Sequence, residues 1–125
     1  MEKVYYFHFA VAYADTDAEG VMYHARYIEV AERARSDLSR HIIIPDGDIG
    51  FVAREVNIKY MYPLRLNDEF VVESRAVKIG GVSMVIEQKF VKGDKICAIM
   101  NITIAYLDGN MRPKEIPENI VNLMS

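Results

Sequence analysis

An α+β fold, with one long helix buried by an antiparallel sheet that curls around it, is what this sequence predicts, and three observations predict it. Apolar residues recur at spacings of three and four in only one long segment, residues 22–40. From residue 51 to residue 107 the period changes to two. Clusters of Gly, Pro, Asn and Asp divide that stretch into four strands. A single helical stripe followed by a meander has one economical packing, in which the sheet covers the helix.

Residues 3–12, KVYYFHFAVA, are dense in Val, Tyr and Phe and read as a first strand. Residues 14–20, ADTDAEG, are acidic, small and turn-rich, a loop by composition. From Met22 to Arg40 the residues Tyr23, Tyr27, Val30, Ala31, Ala34 and Leu38 form one helical stripe, which places both tyrosines primarily in the core. The outer face carries Glu29 four residues before Arg33 and Glu32 three before Arg35, spacings that suit ion pairs on an exposed helix. Pro45-Asp46-Gly47 marks the loop that follows.

Phe51 to Tyr62 alternates apolar and polar residues and stops at Pro63, as a strand with one polar face does. Asp68 to Ile79 and Val82 to Val91 are two more strands, joined by Gly80-Gly81, a link whose tolerance of positive φ suits a primed hairpin turn. Lys92-Gly93-Asp94 makes the next turn. Ile96 to Leu107 is almost continuously apolar, the pattern of a strand buried on both faces. Asp108-Gly109-Asn110 ends it, and Glu115 to Met124 reads as a short helix that begins near Pro117.

The 125 residues show no linker or charge block and read as one domain, 1–125, with no internal repeat. Apolar residues make up 51% of the chain, slightly more than a domain this size needs, so a homo-oligomer that covers part of its surface is expected. A net charge of -3 offers no electrostatic footprint for nucleic acid. Cys97 has no second cysteine to pair with, and residues 1–9 lack a secretory pattern, so a reducing cytoplasm is the expected compartment. No apolar run reaches the ~20 residues of a membrane helix, so no direct membrane insertion is expected.

The loop before the helix gathers Asp15, Asp17 and Glu19 just ahead of a helix N-terminus. Carboxylates there favour the helix dipole, and Asp or Thr can cap the first turn, so a purely structural role competes. The functional reading is that unpaired amides at the helix start polarise a carbonyl oxygen while a neighbouring carboxylate attacks or activates water. Gly20 lets the backbone approach a substrate closely. His24 offers its backbone N–H first, with its side chain free to orient Asp17 or substrate. Tyr13, Tyr23 and Tyr27 bracket the same region, with a secondary chance that a phenol reaches the pocket. No Gly-x-Ser-x-Gly elbow exists, Cys97 sits in an apolar strand, and His8, His24 and His41 are not spaced as metal ligands, so no metal is assigned.

The run from Val11 to Tyr27, VAYADTDAEGVMYHARY, followed by Glu32-Arg33-Ala34-Arg35, resembles the 4-hydroxybenzoyl-CoA thioesterase family of hotdog proteins, most closely its YbgC-type acyl-CoA thioesterases. Tyr60-Met61-Tyr62-Pro63, Leu66-Asn67-Asp68-Glu69 and the tail from Arg112 to Pro117 extend the resemblance over nearly the whole chain. It implies a hotdog fold and hydrolysis of an acyl-CoA to a carboxylic acid and free CoA, with no cofactor beyond the CoA of the substrate. It implies that Asp17, the second Asp of Asp-x-Asp-x-x-Gly, is the catalytic group and that the amide near His24 polarises the thioester. It also implies sites built between two subunits, commonly within a tetramer. Tyr23, Tyr27, Arg54, Lys59, Lys78 and Ser83 are the substrate-binding candidates, the last four for the CoA phosphates and adenosine. Two other activities of hotdog domains remain open at this point: hydration or dehydration of acyl thioesters, and binding of acyl-CoA or acyl carrier protein without turnover.

Overall fold

Period-two alternation places one face of β1, β3, β4 and β5 inward, and in the computed structural model, which describes residues 3–125, those faces meet the apolar stripe of the long helix, whereas both faces of β2 are exposed over residues 53–57 despite its alternating sequence. The elements in order are β1 (Tyr5–Ala10), a 3-10 turn (Tyr13–Asp15), α1 (His24–Ser39), β2 (Gly50–Tyr60), β3 (Glu69–Ile79), β4 (Ser83–Lys92), β5 (Lys95–Leu107) and α2 (Glu118–Met124). The strands form one antiparallel sheet in the order β1-β3-β4-β5-β2. Tyr27, Val30, Ala31 and Ala34 of α1 are buried with Phe70 and Val72 of β3, Ile86 and Phe90 of β4, and Met100 and Ile102 of β5. A sheet wrapped around one long helix is the hotdog architecture. Among the described residues no helix is long and apolar enough to cross a membrane.

One polar contact ties helix to sheet at the centre. Gln88 of β4 is fully buried, and its amide nitrogen donates to the Ala31 carbonyl at 2.9 Å and to Ser74 Oγ at 3.0 Å. Its oxygen accepts from Arg35 Nη1 at 2.9 Å. A buried amide without such partners would cost about 1–3 kcal/mol, so these bonds fix the rotation of α1 over β4.

Several local expectations are corrected. The strands after α1 are not one meander: β3, β4 and β5 are, but β2 crosses to the far edge and pairs with β5. Tyr62 and Pro63 stop the run at Tyr60, and residues 61–68 carry the chain across to β3. Tyr23 is exposed rather than in the core, because the helix begins after it and only Tyr27 falls on the inward face. Gly80-Gly81 does not use positive φ, which falls instead at Gly93 (φ +62) in the β4–β5 link. On α1, Glu29 pairs with Arg26 at 2.8 Å rather than with Arg33, and Arg35 turns inward to Gln88 rather than to Glu32. Finally, β5 is buried without interruption only over Ile104–Leu107; Ile99, Asn101 and Thr103 on its outer face are half-buried.

Candidate active site

The acidic loop is held by its first aspartate and presents its second. Asp15 is buried, and its Oδ2 accepts the Ala12 amide at 2.8 Å while Arg26 Nε lies 3.3 Å from Oδ1. Arg26 also donates to the Ala14 carbonyl at 2.8 Å, and the Asp15 carbonyl accepts the Tyr23 amide at 2.8 Å. These bonds close the loop against the first turn of α1. Neither aspartate caps that helix: its N-cap is Tyr23, whose side chain makes no capping bond.

Residues 17–20 form a tight turn in which the Gly20 amide donates to the Asp17 carbonyl at 3.0 Å and the Asp17 amide donates to Val21 at 3.0 Å. Gly20 sits at φ +78, and a Cβ there would meet no atom within 4 Å, so the requirement for glycine is conformational rather than steric. Asp17 is exposed, and its Oδ1 accepts the Glu19 amide at 2.8 Å. Its Oδ2 accepts no hydrogen bond among the described residues.

The helix start faces the same hollow. The amides of His24 and Ala25 have no acceptor among the described residues, as the geometry of a helix N-terminus dictates. Tyr60, at the end of β2, donates its hydroxyl to the His24 carbonyl at 2.7 Å and so pins the first turn to the sheet. Tyr27 packs edge-on to Tyr60, ring centroids 5.0 Å apart, and its hydroxyl accepts the Leu64 amide at 3.3 Å. Burial pushes both phenols above their ordinary pKa, so both are neutral O–H groups at pH 7. The resulting cleft, about 250 Å³, is lined by Asp17, His24, Tyr27, Tyr60, Met61 and Tyr62 among others. A free carboxylate oxygen, open amides at a helix dipole's positive end and an apolar wall are the parts acyl transfer needs.

A larger hollow of about 570 Å³ lies on the outer face of β1 and β3, beside Tyr6, Glu69 and Glu73. It contains no helix N-terminus, so volume alone does not locate the chemistry. Cys97 is buried, and that burial pushes its thiol above its ordinary pKa, which keeps it a protonated packing group.

Of the residues singled out in the sequence, Asp17, His24 and Tyr27 meet in the cleft, and Gly20 closes the turn that presents Asp17. Tyr23 packs tilted against the His24 ring, centroids 4.4 Å apart, outside the lining. Arg54 and Lys59 lie exposed on β2, Lys78 lies exposed after the β3 bulge, and Ser83 begins β4; none lines the cleft of its own chain. Met61, which the sequence offers as a residue that sets pocket depth, lines the cleft, whereas Tyr60, Tyr62 and Pro63 were not legible as cleft residues, although the proline that follows their strand marks where the chain turns over the helix start. The Asp15–Arg26 clamp had no signal beyond two charges eleven positions apart.

Comparisons with known proteins give the family of the chain. The acyl-CoA thioester hydrolase YbgC of Escherichia coli is 32% identical over 120 residues, covering 89% of this chain and 88% of that protein. The acyl-CoA thioesterase YbgC of Haemophilus influenzae is 30% identical over 117 residues, covering 88% and 86%. Among solved structures, a probable thioesterase from Bartonella henselae superposes with a TM-score of 0.82 at 27% identity, over 92% of this chain and all of that one. The probable thioesterase YbaW of Escherichia coli, at 22% identity and a TM-score of 0.87 over 96% and 98%, shares the fold. The profile of the Thioesterase superfamily matches residues 19–99, a span that begins two residues after Asp17 and runs through α1 into β5. With that match and those relatives, the chain belongs to the thioesterase superfamily.

Proposed function

We propose that this chain, folded as one hotdog domain over residues 1–125, hydrolyses acyl-CoA thioesters with Asp17 as the catalytic carboxylate. The observation that carries the reading is that an exposed carboxylate with one unbonded oxygen shares a cleft with the start of α1, where two amides are open. The relatives named above as acyl-CoA thioesterases support the substrate class.

In this reading the thioester oxygen rests on the His24 amide, where the helix dipole stabilises the charge that develops on it. Asp17 attacks the carbonyl carbon and expels CoA thiolate, leaving a mixed anhydride that water cleaves, or it removes a proton from water that attacks directly. Both routes end with the water oxygen in the acid and a proton on the CoA sulfur. Gly20 holds the turn that presents Asp17; Tyr27 and the His24 ring flank the acyl group, and Tyr23, outside the lining, backs the His24 ring and through it the substrate.

The active unit in this proposal is a homo-oligomer, a pair of chains within a tetramer. What supports it is β2, an edge strand of eleven residues with an open side and the exposed apolar residues Val56 and Tyr60. Arg54, Lys59, Lys78 and Ser83, which miss the cleft of their own chain, are assigned to CoA bound at a neighbouring copy's cleft. No cofactor takes part, since CoA arrives with the substrate, and the proposed compartment is the cytoplasm.

Thiol release from aromatic, short-chain and long-chain acyl-CoAs tests the reading. At least one class is expected to turn over, and Asp17→Asn is expected to lower its rate by ~100-fold or more, the lower end of general-base contributions. Saturable binding without thiol release across the whole panel would replace catalysis with simple binding.

A further inference from the structure

Tyr62 is a cleft residue whose backbone is fixed and whose ring is not. Its amide and that of Met61 both donate to the Cys97 carbonyl, at 3.1 and 2.8 Å. Pro63 follows, which restricts Tyr62 to extended backbone. The ring lines the cleft beside Met61 and is 52% exposed, so no core packing locks it. With the backbone held, rotation of the side chain is the movement left to this part of the wall.

One contact opposes that rotation. Lys95, the first residue of β5, places its Nζ over the Tyr62 ring, 4.4 Å from the centroid. Among the described residues no carboxylate lies within ion-pair distance of Lys95, so the ring face is the partner its ammonium has. Lys92, opposite it in the hairpin, is instead spent on Asp68 at 3.0 Å. Lys95 is not part of the cleft lining, so it covers the face of the ring turned away from the cleft. The cleft itself, about 250 Å³, falls below the roughly 300–1,000 Å³ of small-molecule sites. Its lining at Val21, Met22, Met61 and Pro63 is apolar, which suits the acyl arm of a thioester better than the amides of pantetheine.

We propose that Tyr62 is the stop that limits acyl-chain length in this cleft, and that Lys95 is the positioning residue that holds it there. The inference rests on the thioesterase reading for where the acyl group lies. A short acyl group fits against the ring with the lysine in place, whereas a longer one has to turn the ring out and break the cation–π contact. At an exposed site such a contact biases the ring toward its closed position by roughly 2–5-fold. The bulk of the ring excludes the chain outright, so truncating Tyr62 has a larger effect than removing the charge that holds it.

Thiol release from butanoyl-, octanoyl- and dodecanoyl-CoA, read as kcat/KM at each chain length, tests this. In the wild type kcat/KM is expected to fall with length. Tyr62→Ala is expected to raise the dodecanoyl-to-butanoyl ratio by at least ~10-fold, the lower end of what a change of apolar fit does to discrimination. Lys95→Met should move the ratio the same way by roughly 2–5-fold, and Lys95→Arg, whose guanidinium also stacks on aromatic faces, should keep it at the wild-type value. Calorimetric affinities of the S-butyl- and S-dodecyl-CoA thioethers, which cannot be hydrolysed, should shift in the same ratio. A flat wild-type profile, or a Tyr62→Ala variant that loses rate equally at all lengths or keeps the wild-type ratio, overturns the stop. An unchanged ratio in Lys95→Met overturns the role of the lysine. If Tyr62→Ala fails to fold, Lys95→Met decides. With no thiol release at any length the thioesterase reading fails, and the thioether affinities still decide the stop.

Discussion

The loops on either side of α1 each contain an Asp-x-Asp step, Asp15-Thr16-Asp17 before the helix and Asp46-Gly47-Asp48 after it, and they use the second aspartate in opposite ways. Asp48 receives the Tyr106 hydroxyl at 2.8 Å and Lys114 Nζ at 3.0 and 3.1 Å, so both its oxygens are occupied. The loop is also pressed onto the chain beyond β5: a Cβ at Gly109 would stand 2.2 Å from the Gly47 carbonyl oxygen. In the first loop that anchoring role falls to Asp15, through Ala12 and Arg26, and Asp17 keeps one oxygen unbonded in a cleft. In the proposed thioesterase, motif and composition do not separate the structural carboxylate from the catalytic one; what separates them is how many of the oxygens the fold already holds.

After Asp17 itself, the largest effect expected from disturbing this contrast is at Asp15. Asp15→Asn removes the charge opposite Arg26 and loosens the loop that aims Asp17, so kcat is expected to fall roughly 10-fold, since small misplacements of reacting groups carry large rate penalties. Thiol release at saturating acyl-CoA measures it, and an unchanged kcat would mean that the clamp does not position Asp17.

Next is the far loop. Tyr106→Phe removes a partly buried hydrogen bond to Asp48 and is expected to cost about 1 kcal/mol in denaturant unfolding, without changing kcat. The pair also sets a pH signature. The Tyr106 hydroxyl and then Lys114 hold Asp48 below the usual carboxylate range, so its contribution to stability is complete above a pH of ~4 and is lost as pH falls through the lower folded value. Burial, then Asp48, pushes the Tyr106 phenol up to about 12. That contribution is complete below a pH of ~10 and is lost as pH rises towards the folded value. Unfolding midpoints across both windows should decline less steeply in Tyr106→Phe than in the wild type.

The smallest effect belongs to Tyr60→Phe, which keeps the aromatic wall and removes one partly exposed bond to the His24 carbonyl. A loss of a few tenths to 1 kcal/mol in stability is expected, with a change in kcat of less than ~3-fold. A much larger fall in kcat would make that phenol part of the chemistry.

Local period carried most of the architecture. Val30, Ala31 and Ala34 mark the inward stripe of α1 because helix burial repeats at 3.6 residues, and the strands were legible for the corresponding reason at period two. Pairing was not legible, since alternation in β2 is the same whether its neighbour is β3 or β5. At the site, Asp17, Gly20 and His24 are close in sequence, so one short motif displayed them together. Tyr60 and Tyr62 reach the same cleft from a segment more than thirty residues away, which no local pattern announces. Arg35 was misread because helical spacing offered Glu32 as its partner, while Gln88, 53 positions along the chain, supplied a buried one.

The most direct measurement is to determine thiol-release rate and unfolding midpoint side by side for Asp17→Asn and Asp48→Asn. A crossed result is predicted: the first variant loses turnover and keeps its midpoint, and the second keeps turnover and unfolds earlier. If Asp17→Asn instead hydrolyses acyl-CoA at the wild-type rate while fully folded, the carboxylate at the helix start is not the catalytic group.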